Sequence, residues 1–164
     1  MKLKLLALFI MPFLFLGCTK TTAFTFFDMS KEFEHSIANS QSSRIVDEHN
    51  RSAIIVNATY LNRVFEDRYR DEEKILISTY IVDDSKICEV NSTTAECYEL
   101  NLNAQAPINI EKIEYSNELI KTVPIKESWF DFYLVSFKKV DETTLKFKIS
   151  NDKNSSIIMK FEKE

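Results

Sequence analysis

The sequence is almost devoid of glycine, and this absence excludes several classes of functional site. Its 164 residues contain one glycine, Gly17. Phosphate-binding loops, dinucleotide fingerprints and nucleophile elbows all need backbone without a Cβ atom. Histidine is also scarce, because only His35 and His49 occur, and neither has a second His or a Cys at metal-ligand spacing. We therefore expect no nucleotide fold, no cofactor and no metal site.

The overall composition is that of one globular domain. Hydrophobic residues make up 45% of the chain and charged residues 28%, which is ordinary for a single folded domain of this length. The formal net charge is −4, and two of the lysines, Lys2 and Lys4, lie at the extreme N-terminus. The rest of the chain is more acidic still, so we expect no nucleic-acid partner and no electrostatic attachment to anionic lipid headgroups.

The N-terminal residues have the layout of a secretory signal. Residues 1–17 read MKLKLLALFIMPFLFLG, in which two lysines precede a continuous apolar run that ends at a small residue. The run is too short to span a bilayer comfortably. The segment Phe15–Cys18, FLGC, resembles the lipobox of bacterial lipoproteins, in which Gly followed by Cys marks the cleavage site. The alternative is a buried apolar helix with Cys18 as a core thiol, but lysines only at the front and no polar stripe argue against it.

The resemblance to lipoproteins implies a processed and lipidated chain. Residues 1–17 would be removed, and Cys18 would carry a diacylglycerol thioether and an amide-linked acyl chain that attach the protein to a membrane. Thr19 follows the cysteine in place of an aspartate, which in that family favours the outer membrane and a periplasm-facing domain. Residues 18–25 would then form the anchor and tether, and residues 26–164 a single domain.

A short amphipathic helix is predicted over residues 28–39, at the start of this domain. Met29, Phe33 and Ile37 recur at i, i+4 and i+8, and acidic residues lie near the predicted N-terminus. We expect this apolar stripe to face the core. A groove for a partner or a membrane-surface helix is the alternative, although no basic face accompanies the stripe.

From about residue 52 to the C-terminus the apolar pattern changes to a period of two, which is typical of strands. Seven strands are predicted: Ser52–Tyr60, Lys74–Val82, Tyr98–Asn103, Ile108–Ile113, Trp129–Phe137, Thr144–Ile149 and Ser156–Phe161. No helical pattern intervenes, so we expect an immunoglobulin-like or related antiparallel β-sandwich. Trp129, Phe132 and Leu134 are core candidates. The run Arg63–Glu73 is interpreted as a solvated, charged connection.

Two cysteines remain, and they are predicted to form a disulfide. Folding residues 88–97 as a hairpin sets Cys88 opposite Cys97 and Glu89 opposite Glu96, and an exported chain meets an oxidising compartment. A redox-active pair is disfavoured, because such pairs usually have two intervening residues at the start of a helix.

Candidate catalytic and modification residues are few. Asp47, Glu48 and His49 are the one cluster of acid and imidazole, and we expect a polar loop there whose side chains do not line a cleft. The pair Asp83–Asp84 supplies too few oxygens for calcium without further partners. The last candidates are two asparagines at predicted turns, Asn91 and Asn154. Each has an acidic residue two positions before it and a hydroxyl residue two positions after it. This pattern resembles the N-glycosylation acceptor of some Gram-negative bacteria.

The sequence as a whole favours a non-enzymatic envelope lipoprotein that binds a protein partner or has a structural role. An envelope-acting hydrolase using Asp47 or His49 is a second hypothesis. A third is an inhibitor of a hydrolase that inserts a rigid loop, for which the tip of the Cys88–Cys97 hairpin is the candidate.

Overall fold

A computed structural model describes residues 30–82, 85–90, 92, 96–153 and 155–163. Lipidation at Cys18, the residues Asp83 and Asp84 and both candidate glycosylation sites, Asn91 and Asn154, lie outside these ranges. The chain from Lys31 onward is one compact unit.

The described residues form nine strands and one helix of more than a single turn. In chain order the elements are α1 (Lys31–Ala38), β1 (Ser40–Val46), β2 (Ser52–Tyr60), a 3₁₀ helix (Leu61–Arg63), β3 (Glu72–Ile81), β4 (Lys86–Ile87), β5 (Cys97–Leu102), β6 (Asn109–Ile113), α2 (Glu118–Lys121), β7 (Asp131–Lys138), β8 (Thr144–Ser150) and β9 (Ser156–Glu162).

The strands form two sheets that share a core. One sheet has the order β1-β2-β3-β7-β6 and is antiparallel throughout, and the other has the order β4-β5-β8-β9 and is antiparallel except between β4 and β5. The protein is therefore a mainly β sandwich preceded by one short helix, as the sequence predicts. The largest apolar cluster takes residues from both sheets, among them Ile54, Ile77, Val135 and Phe147.

All seven predicted strands are present, and Ser52–Tyr60 has its predicted bounds. The prediction that the sandwich begins at residue 52 is wrong, because β1 (Ser40–Val46) precedes it and pairs with β2. This strand reads SQSSRIV and lies at the edge of its sheet, and only Ile45 is fully buried. Polar side chains on an edge strand leave little periodicity to detect.

The predicted apolar stripe of the first helix is buried only in part, and its first member, Met29, lies outside the described residues. Ile37 is 47% exposed, whereas Ser36 is fully buried and donates its hydroxyl to the Phe33 carbonyl at 2.9 Å. Phe33 is partly buried, and the ammonium of Lys126 lies 4.9 Å from its ring centroid. The prediction that Ile37 faces the core is therefore wrong.

Of the three residues near β7 that are predicted to lie in the core, two are packed against apolar residues and one is exposed. Phe132 is 2% exposed and Leu134 packs beside the second apolar cluster, on the outer face of the five-stranded sheet. Trp129 is 66% exposed, so its assignment to the core is wrong. The physical reason is the strand boundary, because β7 begins at Asp131 and Trp129 lies in the turn before it.

Candidate ligand-binding recess at one end of the sandwich

A cavity of about 770 Å³ opens where three polar segments converge. These segments are the loop between β1 and β2, the turn between β8 and β9, and the start of β5 with its disulfide. The residues that line it are Val46, Asp47, Glu48, His49, Arg51, Ala53, Ser85, Glu96, Cys97, Tyr98, Asn151, Asp152, Lys153 and Ser155. The expectation that Asp47 and His49 do not line a cleft is therefore wrong.

Asp47 organises the loop between β1 and β2 through its carboxylate. Its Oδ1 accepts hydrogen bonds from the backbone N–H of His49 at 2.9 Å and of Arg51 at 2.8 Å. Its Oδ2 accepts from Nε of Arg51 at 2.9 Å and lies 2.9 Å from Nη2 of the same guanidinium. Asn50 has a φ of 59°, a left-handed conformation that Asn tolerates better than most residues. The loop is closed by backbone hydrogen bonds of Asp47 with Arg51 and Asn50, the Asp47 carboxylate reinforces them, and Asn50 takes the conformation that glycine usually supplies.

These contacts also keep Asp47 ionised. The hydrogen bond from the Arg51 amide is the largest influence on its pKa, which lies below the ordinary value. Partial burial opposes this shift, and the Arg51 guanidinium and the His49 amide reinforce it. A carboxylate whose oxygens already accept three N–H hydrogen bonds and face a guanidinium is a poor general base, since protonation would weaken those contacts.

The imidazole of His49 has no orienting contact with Asp47. Its Nε2 lies 3.6 Å from Oε1 of Glu48, and the two side chains are 68% and 86% exposed. Asp47 holds the backbone of His49 and makes no described contact with its imidazole, so the carboxylate beside the imidazole is that of the exposed Glu48.

The turn between β8 and β9 is built like the loop between β1 and β2. The side chain of Asn151 accepts the Ser155 N–H at 2.9 Å, and the Asn151 N–H donates to the Ser155 carbonyl at 3.0 Å. Asp152 and Lys153 lie at its exposed tip. The recess therefore presents carboxylates, a guanidinium, an ammonium and hydroxyl groups together.

A disulfide joins Cys88 to Cys97, with the Cα atoms 5.0 Å apart. The predicted pairing is present, but the predicted hairpin is wrong. Strand β4 runs parallel to β5, with Lys86 beside Cys97, and the Cys88 N–H donates to the Tyr98 carbonyl at 3.0 Å. The bridge therefore closes a loop between parallel segments, and the antiparallel register that would oppose Glu89 to Glu96 is not formed.

A second polar cluster surrounds Glu73, the last residue of the charged run Arg63–Glu73. Glu73 is fully buried on the inward face of β3. Its Oε2 accepts the hydroxyl of Tyr60 at 2.6 Å, and its Oε1 lies 2.8 Å from Nζ of Lys163 and 3.3 Å from the amide nitrogen of Val140. Lys139 is at 3.8 Å. The interpretation of Arg63–Glu73 as wholly solvated is wrong at its C-terminal end.

Burial and hydrogen bonding act in opposite directions on the titration of Glu73. Burial is the largest influence and would raise its pKa, but hydrogen bonds from Lys163, Tyr60 and the Val140 amide together hold the pKa below the ordinary value. Burial and the neighbouring carboxylate raise the pKa of Tyr60. Glu73 is therefore a paired carboxylate inside the sandwich. Its position two residues before Ile75 and four before Ile77, both inward-facing, was the available sequence signal.

The described residues contain no group of three or more His, Cys, Asp or Glu side chains placed to hold a metal ion. Over the same ranges, no helix is both long enough and apolar enough to cross a bilayer. No protein-family model matches the chain. No curated protein and no solved structure matches it either. The role of the recess must therefore be inferred from its own chemistry.

Proposed function

We propose that this protein is a lipid-anchored, periplasm-facing lipoprotein whose β-sandwich is a non-catalytic binding module of the bacterial envelope. The proposed anchor is Cys18, on the resemblance of FLGC to a lipobox. The proposed binding surface is the recess at the end of the sandwich. The observation that carries the non-catalytic part is the carboxylate of Asp47, whose oxygens accept backbone and guanidinium N–H groups and make no described contact with the His49 imidazole.

The proposed anchor is tested by substituting Cys18 in the full-length protein. Cys18→Ser should move the protein from the detergent phase to the aqueous phase when cell extracts are partitioned, because no other lipid acceptor is proposed. The Cys88→Ala/Cys97→Ala variant is the matched control, since it removes two cysteines and keeps Cys18. A processed Cys18→Ser protein that still entered the detergent phase would contradict the lipoprotein proposal.

A second candidate function is hydrolysis, which the presence of Asp47 and His49 in one recess favours. The test is His49→Ala in cells in which deletion of the gene has a measurable effect. Binding without catalysis by His49 predicts that the variant keeps most of the parent's function, because His49 is one of fourteen residues that line the recess. Because the imidazole is exposed, the stability change should stay within about 0.5 kcal/mol. If the variant reproduced the deletion while remaining folded, anchored and abundant, the hydrolase would replace the binding module.

A further inference from the structure

The outer face of the four-stranded sheet carries a group of lysines, two of which are directly opposed. Lys146 on β8 lies directly opposite Lys160 on β9, and Lys148 is the next outward residue of β8. All three side chains are exposed and line a shallow cleft of about 980 Å³, with Asn101, Ile158 and one carboxylate, Glu142, among their neighbours. We call these three residues the lysine face.

The Lys146–Lys160 pair is electrostatically unfavourable in the isolated protein. Like charges at directly opposite positions of an antiparallel pair destabilise it, whereas opposite charges there would stabilise it. Among the residues that the structure describes, no carboxylate lies within salt-bridge distance of any ammonium of the lysine face. No described ion pair therefore relieves the repulsion, although Glu142 lines the same cleft and the chain as a whole is acidic.

Protection of a sheet edge accounts for only part of this arrangement. Lysines on edge strands discourage pairing with another chain, and β9 is an edge strand of its sheet. Strand β8 lies between β5 and β9, so Lys146 and Lys148 protect no edge.

The backbones of the two opposed lysines are fixed from both sides of the face. The side chain of Asn103 accepts the Lys146 N–H at 2.7 Å, and the Asn103 N–H donates to the Lys146 carbonyl at 3.0 Å. The side chain of Gln41 accepts the Lys160 N–H at 3.2 Å and donates to the Lys160 carbonyl. Two amide side chains from different segments thus fix the backbones of both lysines, so the points from which the two side chains extend stay opposed.

We propose that the lysine face binds the phosphate group of a small phosphorylated ligand. Directly opposed residues have their Cβ atoms about 5 Å apart, so the ammonium groups of Lys146 and Lys160 can both reach one phosphate. A phosphate monoester carries a charge of about −1.5 to −2 at neutral pH and three acceptor oxygens, which matches the cations offered here. Ile158 is 56% exposed and Asn101 is half-buried beside Lys148, so the organic part of the ligand has apolar and amide contacts.

The test is a titration of the ¹⁵N-labelled full-length protein in neutral detergent, followed by NMR at constant ionic strength. Glucose 6-phosphate, inorganic phosphate and glucose are the probes, and sodium chloride is the ionic control. We expect saturable shifts at the amides of the lysine face with a phosphate-bearing probe and none with glucose or chloride. Binding of glucose 6-phosphate alone supports recognition of the organic part as well, and equal binding of both phosphates supports a site for the phosphate group itself.

Variants separate this site from general charge effects. Lys146→Gln/Lys160→Gln should weaken binding about tenfold or more, the factor expected when roughly 1.4 kcal/mol of interaction is lost. Lys138→Gln is the matched control, because Lys138 is an exposed lysine on the other sheet that does not line the cleft. The double variant should fold with an unchanged or higher Tm, since it removes a like-charge pair. The proposal is overturned if no probe gives saturable shifts, or if the double variant binds as the parent does.

Discussion

The buried carboxylate of Glu73 offers the sharpest test of how this fold is held together. Glu73→Gln removes the negative charge but keeps the size of the side chain and one carbonyl oxygen for the Tyr60 hydroxyl. The variant loses the ion pair with Lys163, whose Nζ lies 2.8 Å from the carboxylate and whose side chain is 17% exposed. Removing one partner of a buried pair costs about 3–5 kcal/mol.

We expect the lower part of that range or slightly less for Glu73→Gln. The Lys163 side chain retains some exposure, so its ammonium can turn toward water. A loss of about 2–3 kcal/mol should lower Tm by roughly 6–12 °C for a domain of this size. Urea unfolding followed by circular dichroism measures the free energy directly.

The matched variant is Lys163→Met, which leaves the carboxylate of Glu73 buried without its nearest cation. This change should cost more than Glu73→Gln, and the double variant should recover part of the loss, because it leaves no buried charge unpaired. A change below about 0.5 kcal/mol for Glu73→Gln, the range of an ordinary surface substitution, would refute the assignment of Glu73 as a stabilising buried ion.

The pH dependence of stability gives the same network a second readout. The pKa of Glu73 is lower in the folded protein than its ordinary value of 4.5, so its contribution is fully present above that pH and is lost as the pH falls toward the lowered pKa. The parent should therefore lose stability more steeply with acid than Glu73→Gln does. If the free energy of unfolding fell with decreasing pH at the same rate in both proteins, the pKa of Glu73 would not differ between the folded and unfolded states.

Two further predictions concern stability elsewhere in the sandwich. The Cys88→Ala/Cys97→Ala variant should be less stable by about 2.7 kcal/mol, the loop entropy of a ten-residue ring, and an unchanged urea midpoint would show that the bridge contributes nothing. Asn103 and Ala104 have φ values of 46° and 65° and form a two-residue turn closed by reciprocal hydrogen bonds between Leu102 and Gln105. Ala104→Gly should raise the free energy of unfolding by about 0.5–1 kcal/mol, because glycine removes the strain of the left-handed conformation and this gain exceeds the added entropy of the unfolded chain. A lower Tm would contradict this prediction.

The strands were predictable because their signal is local. In β8 and β9 the inward residues alternate with exposed polar ones, for example Leu145 and Phe147 against Lys146 and Lys148. Each strand carries that pattern within its own few residues, so no tertiary information is needed. The edge strand β1 and the two-residue strand β4 lack it, and both were missed.

The buried Glu73 was missed for a different reason. A charged residue next to a run of charges is usually solvated, and composition alone assigns it to the loop. Its inward position follows only when the alternation of β3 is extended back from Ile75, and its partners Tyr60 and Lys163 come from distant parts of the chain. The contacts with Tyr60 and Lys163 offset the cost of burying this charge, and a pattern within one strand does not predict them.

The recess could not be predicted because each of its segments resembles an ordinary turn. The loop closed by Asp47 and the turn closed by Asn151 use the same device, a side-chain oxygen that accepts backbone N–H groups, as expected in a chain with a single glycine. The side-chain oxygens that accept these N–H groups are therefore already hydrogen-bonded and are not free to act in catalysis. A glycine-poor chain therefore closes its turns with carboxylates and amides, and their presence at a cavity is by itself no evidence for an active site. The imidazole of His49 takes no part in closing either turn. Substituting His49 therefore tests the hydrolase hypothesis without disturbing the turns themselves.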